Sequence, residues 1–268
     1  MTSTITTDRS TFRIGYNQLV ELISLISIIL WSFLLAGCTA SNSIRNIYIL
    51  ALSYNKSPSP ISDPLQITTN TTKVLQNQVL ESLNIIQEVR IGYISMCVAF
   101  DSGAWSCSTN SRELATSVRD KGNGDPLNLL SLGNVVRTRT LFYGLFIISL
   151  VFAFLSILFL LAAPRLRKRI QGPDTGETTP VPTRKIAYIA LVLNLVATLL
   201  GFASAFWQHI SATDSSTIVR SLTYNLVAAR VGTGSIVLGW VAASVSAIVT
   251  LGLLMIVLSI HILERLEQ

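Results

Sequence analysis

Four long apolar runs, at 19–37, 140–163, 186–207 and 234–260, divide the chain, and Glu21 is the one charged residue inside them. Each run comes close to or exceeds the roughly 20 residues that carry a helix, at about 1.5 Å per residue, across a hydrocarbon core of about 30 Å. The pattern predicts a membrane all-α four-helix bundle. Between the first two runs, 38–139 is mixed in polarity and is the one connection long enough to hold a domain. A β-rich stretch at 46–54 stops at the Pro/Ser run 57–64 and reads as a strand. A second strand is expected over 89–100, turning at Asp101-Ser102-Gly103 and returning through 104–108 as a hairpin. Between them, Leu75, Val79, Leu83 and Ile86 recur at helical spacing, predicting a short amphipathic helix over 73–87 that packs on the sheet.

Composition agrees with the spans. Half of the 268 residues are apolar, 13% are charged and the mean hydropathy is +0.55. A water-soluble globule of this size could hardly hide so much apolar surface in one core. The net charge of +6 points to nucleic acid only if the basic residues are spread over a binding face, and they are not. Arg165, Arg167, Lys168, Arg169, Arg184 and Lys185 oppose only Asp174 and Glu177 in the loop 164–185, while 39–138 holds eight basic and seven acidic residues. The loop therefore reads as cytoplasmic charge lying against anionic lipid, with no nucleic-acid partner.

This orientation sets the expected organisation: cytoplasmic 1–18, a span at 19–37, an extracellular domain at 38–139, a span at 140–163, the cytoplasmic loop 164–185, a span at 186–207, a second extracellular loop at 208–233, a span at 234–260 and cytoplasmic 261–268. Both glycosylation sequons, at Asn55 and Asn70, fall in the first outer segment. So do Cys97 and Cys107, which bridge in an oxidising compartment and stay as thiols in the cytosol. Zinc is not expected, because His209 and His261, the two histidines, fall on opposite sides of the membrane. Leu35-Ala36-Gly37-Cys38 imitates a bacterial lipidation box, yet the polar lead before it and the three later spans favour an uncleaved signal anchor.

The residues Gly92-Tyr93-Ile94-Ser95-Met96-Cys97 followed by Gly103-Ala104-Trp105-Ser106-Cys107 resemble the first-loop signature of the fungal factor-induced-gene family, calcium regulators and membrane-fusion proteins of mating cells. The likeness extends to 46–54, to Glu88-Val89-Arg90-Ile91-Gly92-Tyr93 and to Asp125-Pro126-Leu127-Asn128-Leu129-Leu130. Ser95 stands where the family motif usually has a second glycine. A tetraspan with a glycine, a tryptophan and a cysteine pair in its first loop is also similar to claudins and to eisosome tetraspans. The resemblance implies a claudin-like bundle carrying a small extracellular sheet in the first loop. In physical terms, Gly92 permits a close strand approach, Trp105 covers the bridge, and a bridge closing about eleven residues adds on the order of 3 kcal/mol.

The spans carry a packing code of their own. Ala197, Gly201 and Ala205 form a ladder of small residues on the third span, and Ser235, Gly239, Ala243 and Ala247 one on the fourth, so these two spans are expected to meet there. Asn194, deep in the third, predicts an interhelical hydrogen bond. No catalytic or cofactor motif occurs, so no enzyme and no cofactor are expected. Three of the four spans contain no acid, which disfavours a self-contained calcium pore. Asp101 and Asp125 remain as weak calcium or partner contacts. The resemblance implies a plasma-membrane organiser of contact, fusion and calcium influx in mating or hyphal fusion. Its partners are membrane lipid and either its own copies or other membrane proteins. The rival reading is a static microdomain scaffold with no calcium role.

Overall fold

The computed structural model describes residues 16–39, 44–55, 86–120, 125, 127–140, 143–170 and 184–266. In chain order these form α1 (Tyr16–Leu35), a 3-10 turn (Ile44–Asn46), β1 (Leu50–Tyr54), β2 (Glu88–Ile91), β3 (Met96–Ala99) and β4 (Trp105–Ser108). There follow α2 (Ser111–Asp120), α3 (Leu129–Val135), a π-turn (Val136–Thr140), α4 (Gly144–Ile170), α5 (Arg184–Leu222), β5 (Val227–Val231) and α6 (Thr233–Leu266). The helices α1, α4, α5 and α6 are each long and apolar enough to cross a membrane. They close a ring in which α1 touches α4 and α6, and α5 touches the same two.

The sheet is antiparallel throughout, in the order β4-β3-β2-β1-β5. Its fifth strand corrects two expectations. The stretch 208–233 is not a plain loop: α5 runs on to Leu222, and 227–231 adds β5 to the edge of β1, so the sheet takes strands from both connections, that between the first two spans and that between the last two. The reason lies in local pattern, since Val227 and Ala229 turn into the core while Arg230 turns out. Arg220, near the end of α5, locks the strand by donating from Nε and Nη2 to the Ala229 carbonyl, at 3.1 and 2.5 Å. Gly232 then joins β5 to α6 where a Cβ would stand 1.7 Å from the Tyr48 carbonyl oxygen, a site no other residue can occupy.

Two strand expectations are also corrected. The stretch 89–100 splits into β2 and β3 around a tight turn at 92–95, closed by the Gly92 amide donating to the Ser95 carbonyl at 2.9 Å. In 46–54 the strand begins only at Leu50. Of the helix expected over 73–87, only residues 86 and 87 are among those described; Asn70 and the 57–64 run also lie outside them. A helix that does lie on the sheet is α2, which tucks Leu114 and Val118 into the core beside Leu50, Leu52, Val89, Ile91, Met96 and Val98.

Within the bundle, the small-residue ladders divide their work. Gly239 of α6 faces α5, with Gln208 Oε1, Leu34 Cδ2 and Ala205 Cβ at 3.2, 3.7 and 3.9 Å from where its Cβ would lie. Gly201 does not face α6: its space is filled by Trp31 of α1 and Ser149 of α4, and Ser149 Oγ donates to the Ala197 carbonyl at 2.7 Å. Ala243 and Ser235 are buried, the latter donating to the Gly232 carbonyl, while Ala247 is half-buried. Asn194 Nδ2 donates to Thr250 Oγ1 at 2.8 Å, and Thr198 pairs with both Thr250 and Ser246, a chain of hydroxyls between α5 and α6. Each such link contributes about 1 kcal/mol in a bilayer.

Candidate functional site

The first-loop signature runs from Gly92, where the sheet meets the spans, along β3, and returns from Gly103 and Trp105 at the strand's far end through β4. Cys97 on β3 lies directly opposite Cys107 on β4, and the two form a disulfide with Cα atoms 4.1 Å apart. Pairing across neighbouring strands follows from the hairpin, because the turn at 101–104 returns the chain in register. Cys97 is fully buried and Cys107 half-buried, so the bridge closes the sheet edge at its less covered end.

On the same sheet face, two positions from Cys107, Trp105 stacks with two arginines. Its ring carries the Arg90 guanidinium at 4.4 Å and that of Arg45 at 5.0 Å, while Arg90 also stands 5.0 Å over Tyr48. Arg90 is fixed from the other side by Glu88 Oε1 at 3.0 Å and Asn46 Oδ1 at 2.9 Å. Cation–π contacts of this kind contribute about 0.5–2 kcal/mol each. The aromatic and β-branched residues of 46–54 thus divide, Tyr48 joining this outer cluster and β1 entering the core.

The turn at 92–95 rests on the end of α1. A Cβ on Gly92 would lie 2.6 Å from the Gly37 carbonyl oxygen and 2.8 Å from Cys38 Cβ. The close approach that Gly92 permits is therefore to the segment leaving the first span, not to another strand. Ser95 serves the same contact by donating its hydroxyl to the Gly37 and Cys38 carbonyls. A second glycine there would leave those carbonyls without that donor. Cys38 is buried and left-handed (φ 61°), and its thiol donates to the Arg90 carbonyl at 3.3 Å. Burial pushes that thiol from an ordinary 9.0 up to about 12, so it is inert as a nucleophile.

Tyr93 reaches from this turn into the top of the bundle, 3% exposed, with its ring 5.0 Å from Phe146 of α4 and well above its usual pKa through burial. Arg137, at the π-turn before α4, donates from Nη1 to the Ile94 carbonyl and from Nη2 to the Thr109 carbonyl, at 3.0 and 2.9 Å. One guanidinium so ties the β2–β3 turn and the β4–α2 corner to the second span. Nothing in the local sequence marks Arg137 for this, since both its acceptors are backbone groups far along the chain.

The two acids singled out as calcium or partner contacts both accept hydrogen bonds within the chain. Asp125 accepts from Tyr54 Oη at 2.7 Å and caps α3 by accepting from the amides of Leu129 and Leu130 at 2.8 and 3.0 Å. Asp101 accepts from Gln87 Nε2 at 2.9 Å. Among the described residues no three His, Cys, Asp or Glu side chains gather as a metal site. Asn55 lies beside β5, its Nδ2 donating to the Asn225 carbonyl at 3.2 Å.

This is the architecture of a multi-pass membrane protein whose four spans carry one disulfide-braced antiparallel sheet. The chain belongs to the family described as Ca2+ regulator and membrane fusion protein Fig1, whose model matches residues 69–259, well over half its length. That family is one of calcium regulators and fusion proteins and not a known enzyme family. No curated protein matches the chain.

Proposed function

We propose that this protein is a non-enzymatic organiser of membrane fusion and calcium influx at the plasma membrane of mating or fusing fungal cells. It presents the sheet outside and keeps both termini in the cytoplasm. The observation that carries the reading is the way the signature residues are spent. Gly92 and Tyr93 seat the sheet on the end of α1 and the start of α4, while Cys97, Cys107 and Trp105 brace the sheet itself, an arrangement that suits a module presented for recognition or assembly. Membership of a family named for calcium regulation and fusion supports the process. Lipid, further copies of the chain or other membrane proteins are its partners at contact sites, glycans on Asn55 and Asn70 clothe its outer face, and any calcium it holds is held weakly.

The test is a deletion strain of a fusing fungus, scored for calcium uptake and fusion efficiency and imaged with a tagged copy. Loss of both responses with accumulation at contact zones on stimulus supports the reading. Constitutive patches with unchanged calcium uptake and fusion would replace it by a static scaffold.

A further inference from the structure

We propose that Ile94, together with Val135 and Tyr143, forms an apolar foot that lies in the lipid of the leaflet on the sheet side of the membrane. Position is the first argument. The turn at 92–95 touches Gly37, two residues past the end of α1, and its Tyr93 packs on Phe146, the third residue of α4. A turn pinned to the ends of two spans sits at the level of the bilayer surface.

Exposure is the second argument. Arg137 draws the Ile94 carbonyl inward, and the Ile94 side chain is left 49% exposed. Val135, two residues before Arg137, and Tyr143, one residue before α4, are 52% and 51% exposed. Tyr143 stands one helical turn before Ile147, whose amide donates to its carbonyl at 3.2 Å, and so leads into Ile147, Ile148 and Val151, exposed apolar residues of the membrane-spanning α4. A single exposed isoleucine needs no explanation, but one that Arg137 ties to the turn before a membrane-spanning helix has lipid as its occupant. A tyrosine at the start of a span is the residue expected at the level of the headgroups.

The opposite end of β3 supplies the contrast. There the turn reads Asp101-Ser102-Gly103, all exposed, with open space around Gly103. The two ends of one strand, separated by about 13 Å of extended chain, thus differ as a wetted tip differs from a submerged one. The foot would hold the sheet at a fixed height and tilt, beyond what the chain connections to the spans impose.

Depth measurement tests this directly. A nitroxide is placed at Ile94→Cys and, separately, at Gly103→Cys, each in the Cys38→Ser background with the 97–107 bridge intact, in phosphatidylcholine nanodiscs. Collisions with oxygen should outweigh those with a water-soluble nickel chelate at position 94, and the reverse should hold at 103. Equal, water-like ratios at both positions overturn the proposal, and so does a position 94 that neither probe reaches, as when a second copy covers it. Where the labelled protein does not fold, Ile94→Trp in the otherwise native chain gives an independent reading. Brominated lipid should quench its added emission relative to wild type, and an unquenched increment overturns the foot.

Discussion

The ring of Tyr93 meets Phe146 edge-on with centroids 5.0 Å apart, and Phe146 in turn tilts against Trp31 at the same distance. A residue of the sheet's turn, one of α4 and one of α1 thereby make a single aromatic column, buried at every member. The sheet is socketed in the bundle and does not hang from flexible linkers. Tyr93→Ala should empty the top of that socket and cost about 3–5 kcal/mol, the range for losing a large buried aromatic. Limited proteolysis of the sheet and the bundle's thermal midpoint should fall together; a change in the first alone would show that the two parts are not coupled there.

Gly232 and Gly234, two residues apart, should respond in opposite ways to alanine. At Gly232 the new methyl meets the Tyr48 carbonyl, whereas at Gly234 its nearest neighbour is the Asn46 carbonyl oxygen at 3.8 Å. Gly232→Ala is expected to block insertion of β5 and abolish surface expression. Gly234→Ala, in the first turn of α6, should be neutral or stabilising by up to about 1 kcal/mol through helix propensity. Thermal stability of the purified variants checks both signs.

The bridge predicts non-additivity. Cys97→Ser, Cys107→Ser and the double variant should show the same loss, about 3 kcal/mol in the chain-entropy picture, because the second change removes nothing the first left intact. Protease resistance of the sheet reads this out. A double variant clearly worse than either single would mean that the two sulfurs act separately.

Raised titrations give the sheet an alkaline limit. Burial raises Cys38 from 9.0 to about 12, and raises Tyr93 above 10.0; Tyr54 is raised by burial first and then by the hydrogen bond it gives Asp125. All three folded values exceed the unfolded ones, so their contribution is complete below about pH 9. It is lost as pH climbs and the unfolded chain releases protons that the folded chain keeps. The thermal midpoint should decline from pH 9 upward, and Tyr54→Phe should flatten part of that decline.

The spans and the cysteine hairpin were legible because both rest on local signals: hydropathy over some 20 residues for the first, and two cysteines flanking a turn for the second. What stayed hidden depends on distant partners. Nothing near Val227 announces that it pairs with Tyr54, 173 positions earlier, or that α5 continues past the bilayer to bring β5 there. Gly201 reads as a match for the ladder on α6, yet its neighbour is Trp31, because a helix inside a ring has two contact faces and spacing alone does not tell them apart. Asp125 reads as a free acid until Tyr54 and the start of α3 are brought to it.

The proposed function requires that the bridged sheet on its four spans support both fusion and calcium influx. The measurement that tests it most directly is complementation of a deletion strain with wild type and with Cys97→Ser/Cys107→Ser, matched for surface level, scoring calcium uptake and fusion in the same cells. Full rescue is expected from the first and loss of both responses with the second. Undiminished uptake and fusion from a surface-delivered protein whose sheet is unbridged and protease-sensitive would contradict it.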